Sequence, residues 1–299
     1  MDVQIIGAGS VGMLVASYLI GEHHSVTLVV RNEQQLMELK QLGLTRVMAD
    51  GQSTTQAINA VRELRTDADL TIVTVKSYQL QSLYNSLAQL PKNMPLLFMQ
   101  NGLAHYEQAL KLPQLHIAFA SVQFGARKET LTTVNHTGLG PVKLAIAKGQ
   151  AYFFEWMATS TNSQFPIVLE MDAYDMLFEK ALLNCFINPM TAILQVKNGR
   201  LIENPASYQL LIQLYDELMN AFPSWKARFP FAFVVSLCEK TALNTSSMLM
   251  DRLHHRQFEV DAIMKPIMQR ALRDGITLPT LSTLYYLISS IELERENAT

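Results

Sequence analysis

The sequence predicts an α/β chain in two parts: a doubly wound, largely parallel sheet over residues 1–165, then an all-helical part over residues 166–299. Three features carry this. Five short, continuously apolar runs punctuate the first half, as strands covered on both faces would. Segments of helical period lie between them. From about residue 165 the strand-like runs largely vanish and long helical patterns take over.

The predicted strands, in order, are VQIIGAG (3–9), SVTLVVR (25–31), LTIVTV (70–75), PLLFM (95–99) and HIAFAS (116–121). VGMLVASYLI and NEQQLMELKQL fill the first gaps with helical spacing, which gives the βαβ rhythm of a parallel sheet. Less regular stretches, 45–61 and 126–147, suit extra antiparallel strands. In the second part, DMLFEKALLNCFIN, ASYQLLIQLYDELMNAF, VVSLCEKTALN, FEVDAIMKPIMQRALRDG and LSTLYYLISSIELERE each read as a helix. The boundary is placed between Phe165 and Pro166, where a proline interrupts the chain.

Composition narrows the function. With 49% hydrophobic and 17% charged residues in 299, the chain can bury a real core. A net charge of −2 argues against a nucleic-acid binder or a polybasic membrane anchor. Cys185 and Cys238 form no CxxC and fit a reducing, cytoplasmic setting as buried thiols. The N-terminal MDVQIIGAGS lacks a basic region and does not read as a signal peptide. The most apolar stretch, FPFAFVVSLC, is about half the roughly 20 residues a membrane helix needs. The histidines show no metal-ligand spacing, and His254-His255, flanked by Arg252 and Arg256, reads as a solvated or loop-facing patch.

Gly7-Ala8-Gly9-Ser10-Val11-Gly12 is GxGxxG, placed directly between a strand and an amphipathic helix. Its glycines suit a tight turn, close approach of backbone to a pyrophosphate, and close helix–strand packing, the fingerprint of a Rossmann-type dinucleotide site. The end of the second strand then selects the dinucleotide. An acid there would hold ribose hydroxyls, but this chain has Arg31, which can pair with a 2′-phosphate and so points to NADPH. Lys76 and Asn101 follow later strands and would face the same crevice at the carboxyl ends of the sheet.

In FEKALLNCFINPM, Lys180, Asn184 and Asn188 stand four residues apart, so each drifts by only about 40° and the three share a helix face. An exposed stripe is one explanation. Yet asparagine is a poor helix former, and two of them bring no local gain. Pro189 predicts that the helix ends or kinks at Asn188. Asn244-Thr245-Ser246-Ser247 resembles a helix cap or ligand-facing turn. Glu259 begins the next helical pattern, where the helix dipole favours an acid even on a surface.

Together these residues resemble the ketopantoate reductase family over nearly the whole chain. GAGSVG, TVKSYQ around Lys76, QNGLAH around Asn101, EKALLNCFINPMTAI, NTSSMLMDR and FEVDAIMK carry the resemblance. It implies that NADPH delivers a hydride to C2 of ketopantoate, a 2-oxo acid, giving pantoate for coenzyme A synthesis. Lys180 is then the general acid, Asn184 and Asn188 hold the substrate, and Asn198 is a further substrate contact. Asn244 and Ser247 receive the carboxylate, and Glu259 lies near the nicotinamide ribose. Lys76, Asn101 and Ala126 match cofactor-contacting positions. The implied substrate site lies in a cleft between the two domains, without a metal, in a monomer or homodimer. Two other readings stand beside it: a reductase of another branched 2-oxo acid, and a non-catalytic NADP-sensing protein.

Overall fold

The computed structural model describes residues 1–160 and 162–297. The chain forms two compact units: Met1–Asn101 with His105–Leu177, and Gly102–Ala104 with everything from Phe178 onward.

The first unit opens with β1 (Asp2–Ile6), α1 (Ser10–Gly21), β2 (Ser25–Val29), α2 (Glu33–Leu42), β3 (Leu44–Met48), β4 (Ser53–Gln56) and β5 (Asn59–Val61). It continues with β6 (Leu70–Val73), α3 (Leu80–Ala88), β7 (Leu96–Phe98), α4 (Tyr106–Leu110) and β8 (Ile117–Val122). The remaining elements are β9 (Gly125–Lys128), β10 (Thr133–Gly138), β11 (Val142–Lys148), α5 (Tyr152–Glu155) and β12 (Ile167–Glu170). An eight-stranded sheet runs β12-β11-β8-β7-β6-β1-β2-β5. Its strands from β8 to β5 pair in parallel, while β11 runs antiparallel to β8. All five predicted strands are present, and the fold class holds.

The irregular stretches hold the extra strands expected, antiparallel in their β3–β4, β9–β10 and β8–β11 pairs. They build a second sheet, β4-β3-β10-β9, whose central β3–β10 pair is parallel although its outer pairs are antiparallel. α1 packs against β2 of the large sheet and against β3, β9 and β10 of the small one. Eight consecutive residues, Gly12 to Leu19, are therefore buried, and α1 is apolar on nearly every side. The polar exceptions are paired: Tyr18 reaches His136 Nδ1 at 2.7 Å, and the Arg46 guanidinium lies 4.0 Å from the Tyr18 ring centre. Burial holds the Tyr18 pKa above and the His136 pKa below their ordinary values.

The expected boundary at 165/166 moves. Ile167–Glu170 pairs in parallel with β11 as the edge strand β12, so the first unit extends to Leu177. The division falls inside α6 (Ala173–Leu194), a helix of 22 residues.

The second unit adds α7 (Arg200–Glu203), α8 (Pro205–Ala221), α9 (Phe231–Lys240), α10 (Ser247–Leu253), α11 (Val260–Arg273) and α12 (Pro279–Asn297). Phe178 packs on Phe222 and Trp225, and Phe186 on Tyr215, whose hydroxyl donates to the Phe229 carbonyl at 2.8 Å. Glu217 of α8 accepts the Thr280 and Leu281 amides at 2.7 and 2.9 Å, capping α12. Within α12, Leu281, Leu284 and Ile288 are core, whereas Tyr286 and Leu287 are exposed. Both cysteines are buried free thiols.

Candidate active site

The chain turns after β1 at Gly7, where φ is +107°. The Gly7 amide donates to the Val29 carbonyl at 3.0 Å, and Thr74 Oγ1 donates to the Gly7 carbonyl at 2.8 Å. A Cβ on Gly12 would stand 1.9 Å from the Gly7 oxygen and 2.5 Å from Thr74 Oγ1, so α1 meets β1 this closely only through glycine. Gly9 is different, because a Cβ there would meet nothing within 4 Å. The fold itself does not demand glycine at that point, whereas a ligand laid against the backbone would. Gly9 is also the N-cap of α1, with no side-chain cap and no acid in the first turn. The amides of Ser10, Val11 and Gly12 thus lack partners within the helix and suit an anion.

β7, β6, β1 and β2 are neighbours running in parallel, so their carboxyl ends share one edge. Consecutive strands depart to opposite sides of β1, which makes that edge the topological switch point. Arg31 is exposed there, two residues past β2 and directly before Asn32, whose side chain caps α2 by accepting from Gln35 N at 2.8 Å. Lys76 lies half-buried three residues past β6, and Asn101 half-buried three past β7. Gln100 donates to the Val73 and Val75 carbonyls at 2.9 and 3.1 Å and fixes the end of β6. Ala126 lies in β9 of the small sheet.

Two residues that no local motif marks also converge on the loop. Gln35 Nε2 and Lys128 Nζ both donate to the Ala8 carbonyl, at 3.0 and 3.1 Å, from 27 and 120 residues away in sequence. Their separation hides them from any reading by spacing.

In the second unit, α6 carries Lys180 and Asn184 half-buried and Asn188 only 6% exposed. The helix does not end at Pro189: α6 runs on to Leu194, and Asn188 is helical. Pro189 removes the amide that would serve the Cys185 carbonyl. Beyond that gap the helix is held by side chains. Thr191 Oγ1 lies 3.0 Å from the Ile187 and Asn188 carbonyls and 2.7 Å from Ser246 Oγ. Arg252 Nη1 donates to the carbonyls of Ala192 and, at 2.9 Å, Ile193. Arg252 is therefore a clamp rather than part of a solvated patch, and Arg256 pairs with buried Asp251 at 2.8 Å; His254 and His255 are exposed.

The 244–247 turn is the cap expected. Ser246 is the N-cap of α10, accepting from Leu249 N at 3.1 Å, which leaves Ser247 beside α6, where its Oγ is 3.4 Å from Asn188 Nδ2. The Asn198 amide donates to the Asn244 carbonyl at 3.2 Å. Asn198 Nδ2 donates to Thr241 Oγ1 at 3.0 Å, while its buried Oδ1 has no hydrogen-bond partner among the described residues. Glu259 is no surface acid: it is 5% exposed and is the N-cap of α11. Nearby, Gly102 (φ +81°) lies against Ala262, where a Cβ would stand 2.1 Å from the carbonyl oxygen.

A doubly wound sheet with a glycine loop at its switch point, joined to a helical unit bearing a lysine and several amides, defines a nicotinamide-dependent oxidoreductase. Residues 3–149 match the family described as "Ketopantoate reductase PanE/ApbA", and residues 172–292 match its C-terminal part. The chain is 35% identical over 294 residues to a 2-dehydropantoate 2-reductase of Bacillus subtilis, covering 98% of each. It superposes on the crystal structure of a probable 2-dehydropantoate 2-reductase from Bacillus subtilis with a TM-score of 0.86 and 33% identity, over 98% of this chain and 100% of that one. A D-mandelate dehydrogenase solved with NADH and anilino(oxo)acetate shares the fold at TM-score 0.87 and 22% identity, over 99% of both chains. The chain belongs to the ketopantoate reductase PanE/ApbA family.

Proposed function

We propose that this protein reduces 2-dehydropantoate to pantoate with NADPH, and that Lys180 supplies the proton. The observation that carries this reading is the polar face of α6, where Lys180, Asn184 and Asn188 recur at four-residue spacing and Asn188 meets Ser247 at 3.4 Å. Bound reduced nicotinamide supplies a hydride to C2 of the substrate. The C2 carbonyl oxygen then gains negative charge, which the Lys180 ammonium stabilises and neutralises by donating a proton. Asn184 and Asn188 orient the substrate through amide hydrogen bonds, and each misplacement they prevent preserves the approach geometry. Ser247 and Asn244 take the substrate carboxylate; Asn198, with its unpartnered Oδ1, accepts a hydroxyl.

The Gly7–Gly12 loop and the first amides of α1 hold the diphosphate, with Lys76, Asn101 and Ala126 as further contacts. Arg31 reads the 2′-phosphate, since an exposed guanidinium can bind it bidentately. Glu259 orients the nicotinamide ribose.

Oxidation of NADPH followed by absorbance, with 2-dehydropantoate and a panel of branched 2-oxo acids, tests the proposal. Brisk turnover of 2-dehydropantoate is expected. Faster turnover of another acid would replace the substrate and keep the chemistry. Lys180→Ala should lower kcat by about 10²–10⁴-fold with NADPH binding retained. Arg31→Asp should move preference from NADPH toward NADH.

A further inference from the structure

Lys128 closes β9 on the small sheet and is half-buried beside the glycine loop. Its neighbour Arg127 pairs with Glu129 at 3.1 Å. Lys128 has no such partner: among the described residues, no carboxylate lies within ion-pair distance of its ammonium. Its one hydrogen bond goes to the Ala8 carbonyl at 3.1 Å, an oxygen that also accepts from Gln35. An ammonium has three donors, so two remain for a ligand. Ala8 is bonded to Gly9, so covalent geometry sets Nζ within about 5–6 Å of the Gly9 amide. Gly9 is the position over which a Cβ would meet only open space.

A partly buried cation without a countercharge is destabilising unless something else supplies the charge. We infer that Lys128 is a cofactor-binding residue whose ammonium pairs with the diphosphate of the bound dinucleotide, with the Ala8 carbonyl orienting its side chain. This rests on the dinucleotide reading of the loop above. Burial pushes the Lys128 pKa down, as expected for an ammonium that has lost water without gaining a carboxylate. The diphosphate restores the missing charge and favours the protonated form. Because the diphosphate is common to both dinucleotides, Lys128 acts on NADPH and NADH alike, unlike a residue that reads the 2′-phosphate.

Calorimetric titration of NADPH and NADH into the full-length wild type, Lys128→Met and Lys128→Arg tests this, alongside thermal unfolding of the ligand-free proteins. Lys128→Met should weaken both dinucleotides by a similar factor, about tenfold or more. Lys128→Arg should recover most of that loss. Ligand-free Lys128→Met should unfold at the same temperature as wild type or higher, because an unpaired buried charge has gone. A purely structural lysine would instead lower the midpoint, and that result would overturn the inference. Unchanged affinity for both dinucleotides, or a loss confined to NADPH, would overturn it too. If the wild type binds neither dinucleotide, the proposed function falls first and takes this inference with it. Wild-type binding matched by Lys128→Met sinks only the role of Lys128.

Discussion

The glycine loop of the first unit and the α6 face of the second solve the same problem by opposite means. Around Gly7 and Gly12 the geometry is set by backbone meeting backbone, with a helix so close to a strand that no side chain fits. Around Asn188 it is set by side chains reaching across from α10, through Ser246, Ser247 and Arg252. A backbone-built site is compact in sequence and rigid by exclusion. A side-chain-built site draws on residues about 60 positions apart and is only as fixed as its hydrogen bonds.

The sharpest way to break this contrast is inside the loop. Gly12→Ala forces a methyl into the Gly7 carbonyl, and overpacking of that kind should remove about 3 kcal/mol or more. Urea unfolding would show it, and a well-folded Gly12→Ala protein would refute the steric account.

Next comes the α6 network. Thr191 Oγ1 meets the α6 carbonyls only as a donor, which commits its one proton, so Ser246 Oγ donates to Thr191 while accepting from the Leu249 amide. Thr191→Val leaves a buried hydroxyl without its acceptor, at a cost of about 1–3 kcal/mol. KM for the 2-oxo acid should rise while dinucleotide affinity holds, and steady-state kinetics with a binding titration would separate the two.

A smaller effect follows from His136 behind α1. Burial lowers its pKa, so the folded protein keeps it neutral when the unfolded chain protonates it. The stability it contributes is present above pH about 6.5 and is lost as pH falls below that value. Thermal midpoints across that range should fall toward acid, and His136→Gln should flatten the slope. Smallest is Gly9→Ala, worth under about 1 kcal/mol as a cap exchange because its Cβ meets only space. Dinucleotide affinity should suffer where stability does not; equal losses at Gly9 and Gly12 would erase the distinction within the loop.

The same contrast explains what could be read before the structure. The five central strands announce themselves because burial on both faces leaves continuous apolar runs. β12 does not: Val168 and Leu169 are 45% and 41% exposed at a sheet edge, and the strand is too short to show alternation. The glycine loop is readable because its glycines lie within six residues, whereas Gln35 and Lys128 reach the Ala8 carbonyl from 27 and 120 residues away and leave no local trace. Pro189 misleads because the local rule is right about the lost amide, yet Thr191 and Arg252 sustain the last turns of α6. Lys180, Asn184 and Asn188 show their shared face by spacing, but the tie from Asn188 to Ser247 crosses 59 residues and leaves no periodic trace. Glu259 reads as an ordinary helix-start acid for the same reason: nothing local records that it is buried.

The chain lends Gly102–Ala104 to the second unit, where the Leu103 amide donates to the Ala262 carbonyl at 2.8 Å. The two units are therefore not interchangeable modules strung in series. A fragment cut at residue 178 would leave behind the three residues that cover Ala262, next door to Glu259. Recombining halves between relatives at that point would exchange the helices yet keep a foreign tripeptide under α11. A functional chimera has to carry the 102–104 segment together with the helical unit, as one inherited part.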